Sequence, residues 1–94
     1  MATVYILYSS IKNKYYIGSC INLSERILEH KIGKYKNSYT SKLNDWILFY
    51  SMDHLEYKQA RLIEKHIKRM KSKKYIKDLK KYESISFNLI KLYS

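Results

Sequence analysis

The sequence predicts an α+β fold: a small three-stranded, mainly antiparallel sheet flanked by helices, in the order ββαβαα. Three observations predict it. Short runs rich in β-branched and aromatic residues stand at Thr3–Ser9, Tyr15–Ser19 and Trp46–Ser51. The remaining segments carry apolar residues at helical spacing, with capping residues at their starts. Ninety-four residues, 46% of them hydrophobic, supply one packed core and leave little room for a second, so residues 1–94 read as a single domain.

The first run, TVYILYS, is a strand, and Lys12-Asn13-Lys14 is a turn. The second run, YYIGS, follows so closely that the two form an antiparallel hairpin. Strand alternation puts Tyr16 and Gly18 on one face and Tyr15 and Ile17 on the other. Gly18 adds no packing to its strand, and such a glycine marks a place where a ligand or a backbone comes close. Asn22 starts a helix, with Glu25 three residues on as in a capping box. The helix is expected to end at Gly33, a residue free to take positive φ. Leu23 and Ile27 form its buried stripe, and Arg26 and His30, four apart, run along the margin. Lys34 to Asn44 is polar and basic and reads as a loop.

Trp46–Ser51 is apolar enough to lie at the centre of the sheet. Asp53 is expected to cap a long helix, with Glu56 completing the box. In that helix Ala60, Ile63, Ile67 and Met70 form one buried stripe, and Glu64 stands beside it. A basic run from Lys65 to Lys81 breaks near Ser72, and Ile76 and Leu79 within it suggest a second helical piece that packs. Ser84–Tyr93 is a last helix with Ile85, Leu89 and Leu92 inward. His54 and His66 read as surface residues.

The formal net charge is +11, from 19 basic and 8 acidic side chains. So small and positive a domain repels itself unless a polyanion offsets the charge. Nucleic acid is the leading partner and an anionic membrane the second. The membrane ranks last because no exposed amphipathic helix carries large apolar residues, and no run of about 18 apolar residues could span one. The N-terminus has no signal-peptide pattern. The single cysteine, Cys20, supports neither a disulfide framework nor a zinc site. From these features a cytoplasmic protein is expected. Eleven tyrosines in a chain so rich in Lys, Ile and Asn are not in themselves a nucleic-acid signal. Against 16 lysines the three arginines, Arg26, Arg61 and Arg69, stand out as residues used for their planar fork. Lys14, Lys34, Lys42 and Lys71, from the hairpin, the loop and the basic helices, are the candidate phosphate contacts.

Chemistry concentrates in a few positions. Tyr5 and Tyr16 share the hairpin. Arg26 could hold a phosphate with two hydrogen bonds, and His30 could shuttle a proton near neutral pH. Glu64 has two readings: a salt bridge to Lys68 at i+4, or a ligand for a hard cation such as Mg²⁺. Singly, each has an ordinary explanation as a sheet tyrosine, a solvated helix edge or an ion pair.

Taken in order, these residues resemble the GIY-YIG nuclease family, in its small stand-alone, single-domain form. Thr3-Val4-Tyr5 resembles the first motif, with Thr in place of Gly and the tyrosine intact. Tyr16-Ile17-Gly18 is the second motif unaltered, with ten residues between Tyr5 and Tyr16. Asn22 to His30 resembles the family's first helix, including R-x-x-x-H, and Glu64 falls where the family's metal-binding Glu falls. Ile76 stands where many members carry an Asn; Asn88 comes later.

The resemblance implies a metal-dependent endonuclease that hydrolyses phosphodiester bonds in DNA with one divalent metal, Mg²⁺ or Mn²⁺. It implies Tyr5 as the general base, acting on water directly or through a neighbour, and Tyr16 as its assistant. Arg26 would stabilise charge on the phosphoryl oxygens, His30 would relay protons, and Glu64 would hold the metal. Single-stranded, duplex and branched DNA are all admitted, and RNA with them. One site cuts one strand, so a monomer or weak dimer is expected. The rival reading is a non-catalytic DNA- or RNA-binding protein that keeps the nuclease fold.

Overall fold

The middle of the sheet is β1 (Ala2–Ser9), between β2 (Lys14–Cys20) and β3 (Ile47–Leu55), both antiparallel to it. The computed structural model describes residues 1–31 and 46–94. Its helices are α1 (Leu23–Lys31), α2 (Tyr57–Met70), α3 (Lys73–Lys81) and α4 (Glu83–Leu92). The predicted α+β order is present, and the last helix expected at Ser84–Tyr93 is α4.

Helices cover both faces of β1, which explains why its sequence is apolar without alternation. Ala2, Val4 and Ile6 point to one face and join Met52, Leu55, Ile63, Ile67 and Leu79 in the main core under α2, α3 and α4. Tyr5 and Leu7 point to the other and pack with Cys20, Trp46 and the inner side of α1 at Leu23 and Ile27. The hairpin turns through Asn13, whose φ of 51° is left-handed and whose Oδ1 accepts from the Tyr8 hydroxyl at 2.8 Å. Asn22 caps α1 as expected, its Oδ1 accepting from the Glu25 N–H at 3.0 Å.

Several expectations are corrected. The third strand is an edge strand, with Ile47 and Leu48 exposed. Its apolar stretch could not reveal this, because an apolar run reads the same at an edge as at a centre. Its register with β1 shifts twice, as edge strands permit. The strand also runs on to Leu55, placing Met52 and Leu55 in the core, so Asp53 lies within β3 and accepts from the Thr3 hydroxyl at 3.3 Å. The α2 cap is Glu56, whose N–H donates to Gln59 Oε1 at 3.1 Å. Met70 and Leu92 are exposed, because each lies in the last turn of a helix that outruns the core.

Lys71, with φ 47°, ends α2, and Ser72 starts α3 by accepting from the Tyr75 N–H at 3.1 Å. α4 is tied down at three points: the Ser86 hydroxyl meets that of Tyr50, Gln59 Nε2 donates to the Ile90 carbonyl, and Tyr93 bonds His66 Nδ1 at 2.9 Å. His66 is therefore a packing residue, not a solvated one. Gly33 and the stretch from Lys34 to Asn44, with Lys34 and Lys42, lie outside the described residues. No helix among the described residues is long and apolar enough to cross a membrane.

Candidate active site

Tyr5 pairs across the hairpin with Gly18. Its ring lies over that glycine so closely that a Cβ there would stand 2.5 Å from the phenol oxygen and 2.6 Å from Cζ. What approaches Gly18 is thus the ring of Tyr5, and the glycine is the floor on which the phenol rests. The ring is 0% exposed, and its hydroxyl meets His30 Nε2 at 3.1 Å. Tyr16, two residues before Gly18 on the same face, closes the group. Its ring is 5.0 Å from His30 edge to face, and 6.3 Å from Tyr5.

His30 is only 4% exposed, deeper than a margin position implies, because α1 lays its inner side directly on these rings. Of the three, Tyr16 alone has appreciable exposed surface. Burial, then the neighbouring Tyr16, drives the Tyr5 phenol well above its usual range, and Arg26 opposes this only in part. Burial, then the Arg26 charge, lowers the His30 imidazole below its ordinary value, with Glu29 opposing. At neutral pH the pair is a protonated phenol beside an uncharged imidazole.

Glu64 sits on α2, whose amphipathic spacing buries Ala60, Ile63 and Ile67 and brings position 64 beside β2. Its Oε1 accepts from the Ser19 hydroxyl at 2.5 Å, and its Oε2 pairs with Lys68 Nζ at 2.6 Å. The salt bridge to Lys68 is therefore formed. Ser19 follows Gly18 and points to the α2 side of the sheet, whereas Tyr16 and Gly18 point to the α1 side. The two halves lie on opposite faces of β2, an outer strand, so Tyr16 and Glu64 do not open onto one surface.

Arg26 joins them. It lines a cleft of about 800 Å³ together with Ser19, Glu64, Lys65, Lys68 and Arg61. It also acts on both Tyr5 and His30. Tyr16 does not line this cleft. Lys68 further lines a second cleft of about 500 Å³ that contains Lys14, Lys71 and Lys73. Two of the four lysines singled out in the sequence thus fall in one groove.

Sequence reasoning missed Ser19, Lys58 and Lys65 as cleft residues, and singled out Arg61 without giving it a place in the site. Arg61, Lys65 and Lys68 recur at helical spacing around Glu64, and that signal was readable. Ile76 is buried in the main core and borders the second cleft, whereas Asn88 is exposed on α4 and lines neither cleft.

A family model described as the GIY-YIG catalytic domain matches residues 1–82. No curated protein and no solved structure matches the chain. The family's members are nucleases, in general endonucleases acting on nucleic acid with a divalent metal. With its hairpin tyrosines, its R-x-x-x-H helix and the Glu of α2 arranged around one sheet edge, the chain belongs to the GIY-YIG nuclease family.

Proposed function

We propose that the protein is a metal-dependent endonuclease that hydrolyses phosphodiester bonds in DNA at the edge of β2. The observation that carries this reading is the double engagement of Arg26. It faces the basic cleft with Glu64 and also reaches the buried Tyr5–His30 pair. A phosphate in the cleft would meet the Arg26 fork, with Arg61 and Lys65 adding positive charge that stabilises the phosphoryl oxygens as charge builds on them.

Tyr5 has no exposed surface, so it acts through a neighbour. Tyr16 is the phenol that reaches water and substrate. Behind it, His30 carries an uncharged imidazole, and its hydrogen bond with Tyr5 fixes a ring that can accept a proton. Gly18 keeps the phenol in that register.

The donor set fits a hard divalent cation such as Mg²⁺ or Mn²⁺. Such ions are held by one or two carboxylates, with water and substrate phosphate completing the shell. Glu64 offers one carboxylate in a cleft of phosphate-binding cations, and no cluster of three or more His, Cys, Asp or Glu occurs among the described residues. When bound, the cation would neutralise charge on the departing 3′ oxygen. The Glu64–Lys68 ion pair favours the rival reading, a binder in which the carboxylate is purely structural.

Cleavage of labelled single-stranded, duplex and forked DNA, with parallel RNA substrates, tests the two. The wild type should cut in Mg²⁺ or Mn²⁺. Glu64→Gln should lose several orders of magnitude in rate while binding the same oligonucleotides in EDTA at least as well. Equal cleavage by a folded Glu64→Gln protein, or no metal-dependent cleavage of any substrate by the wild type, would refute the proposal.

A further inference from the structure

We propose that Lys68 is a built-in counter-ion whose ammonium holds the metal position of Glu64 in the free protein and yields it when a divalent cation binds. This inference rests on the metal role of Glu64 proposed above. Lys68 Nζ stands 2.6 Å from Glu64 Oε2, within the space that a cation on that oxygen must occupy. The other oxygen, Oε1, accepts from Ser19, which fixes the carboxylate's orientation without bringing charge. A divalent cation arriving on Oε2 is repelled by the ammonium already in contact with that oxygen, so metal entry is favoured when the ammonium leaves.

The fold gives it a destination. Lys68 lies where the cleft of Arg26 and Glu64 adjoins the groove of Lys14, Lys71 and Lys73, and it lines both. Its side chain is 53% exposed, so the flexible stem swings without disturbing the core. In the groove a nucleic-acid phosphate would receive the displaced ammonium. Nucleic acid and metal would then favour each other: the phosphate draws Lys68 from Glu64, and the vacated carboxylate accepts the cation. An idle site stays neutralised, which keeps an unpaired carboxylate from repelling the incoming strand.

The test measures Mn²⁺ binding to the full chain by electron paramagnetic resonance, without nucleic acid and without any activity readout. The proteins are the wild type, Lys68→Met, Lys68→Gln, Glu64→Gln and the Lys68→Met/Glu64→Gln double variant. A charge against a carboxylate alters its affinity for a cation by about 10- to 1000-fold, and the exposed stem puts the effect at the lower end. Both Lys68 variants should therefore bind Mn²⁺ about tenfold more tightly than the wild type, and both Glu64 variants should lose the site. Wild-type affinity in folded Lys68→Met and Lys68→Gln, with binding still lost on Glu64→Gln, would overturn the Lys68 role and leave the metal site standing. Mn²⁺ binding that is indifferent to Glu64 in every protein would overturn both.

Discussion

Replacing Gly18 by alanine places one methyl group against the Tyr5 phenol. The added Cβ would lie 2.5 Å from Oη, 2.6 Å from Cζ and 3.0 Å from Cε1, all too short for non-bonded carbon. Tyr5 has no exposed surface and its hydroxyl is bonded to His30, so the ring has no free direction in which to yield. Forcing a methyl into a filled core costs about 1–3 kcal/mol. If the ring tilts away, the buried His30 Nε2 loses its partner, at about 1–3 kcal/mol more. The expected loss is about 2–6 kcal/mol, a large share of the roughly 5–15 kcal/mol that holds a small domain together.

Urea unfolding of Gly18→Ala, Tyr5→Ala and the double variant forms a cycle that isolates the clash. Alanine at position 5 removes the atoms in the way, so Gly18→Ala should cost far less in that background. The coupling should reach about 1–3 kcal/mol. Tyr5→Phe should not relieve the clash, because Cζ remains. Gly18→Ala within about 0.5 kcal/mol of the wild type, or strict additivity in the cycle, would refute the account of Gly18 as the floor under the phenol.

Other perturbations probe the rest of the site. His30 takes its proton less readily when folded than when unfolded, because burial and Arg26 disfavour its charge. Its share of stability should be complete above about pH 6.5 and fall away as pH drops through the folded value. The difference in urea midpoint between pH 7.5 and pH 5 should shrink in His30→Gln, and an undiminished difference would count against the assignment. Tyr16→Phe removes one hydroxyl from the exposed edge of the group and should leave folding intact while lowering cleavage about 10²–10⁴-fold; near-normal turnover would remove Tyr16 from the mechanism. Duplex binding in EDTA should weaken steeply with salt. If about five of the cleft cations meet phosphates, the log–log slope is about −4.5, and a slope shallower than about −1 would deny the clefts that role. Ser72→Ala should destabilise by about 1 kcal/mol through loss of the α3 cap, without changing affinity, as thermal melts and binding curves would show.

The hairpin, the cap of α1 and the stripes of α2 and α3 were legible because local spacing encodes them. The pairing of Tyr16 with Gly18 on one face was equally so, since strand alternation is strict. The position of the third strand was not, because WILFYS carries no sign of how many neighbours it has. The start of α2 was misplaced for a related reason. Asp53 and Glu56 mimic a capping box, yet Met52 and Leu55 gain more by staying extended in the core. At the site, residue types and order pointed to Tyr5, Tyr16, Arg26, His30 and Glu64. Their placement on two sides of β2, and the engagement of both Glu64 oxygens, depend on contacts spanning tens of residues, which no local pattern records.

The central place of β1 bears on when this domain becomes whole during synthesis. Its partner β3 lies more than forty residues further along the chain, and the Thr3–Asp53 and Ser19–Glu64 hydrogen bonds span 50 and 45 positions. The hairpin of β1 and β2 can form early, but one face of it waits for α2 and one edge for β3. Until about residue 70 has left the ribosome, the face that α2 covers and the edge that β3 pairs stay open. Each doubling of a closing loop adds only about 0.6 kcal/mol of entropy cost, so closure is affordable but comes late. The nascent chain should therefore pass through a stage that is sticky and strongly cationic before the Ser19–Glu64 contact can close the cleft.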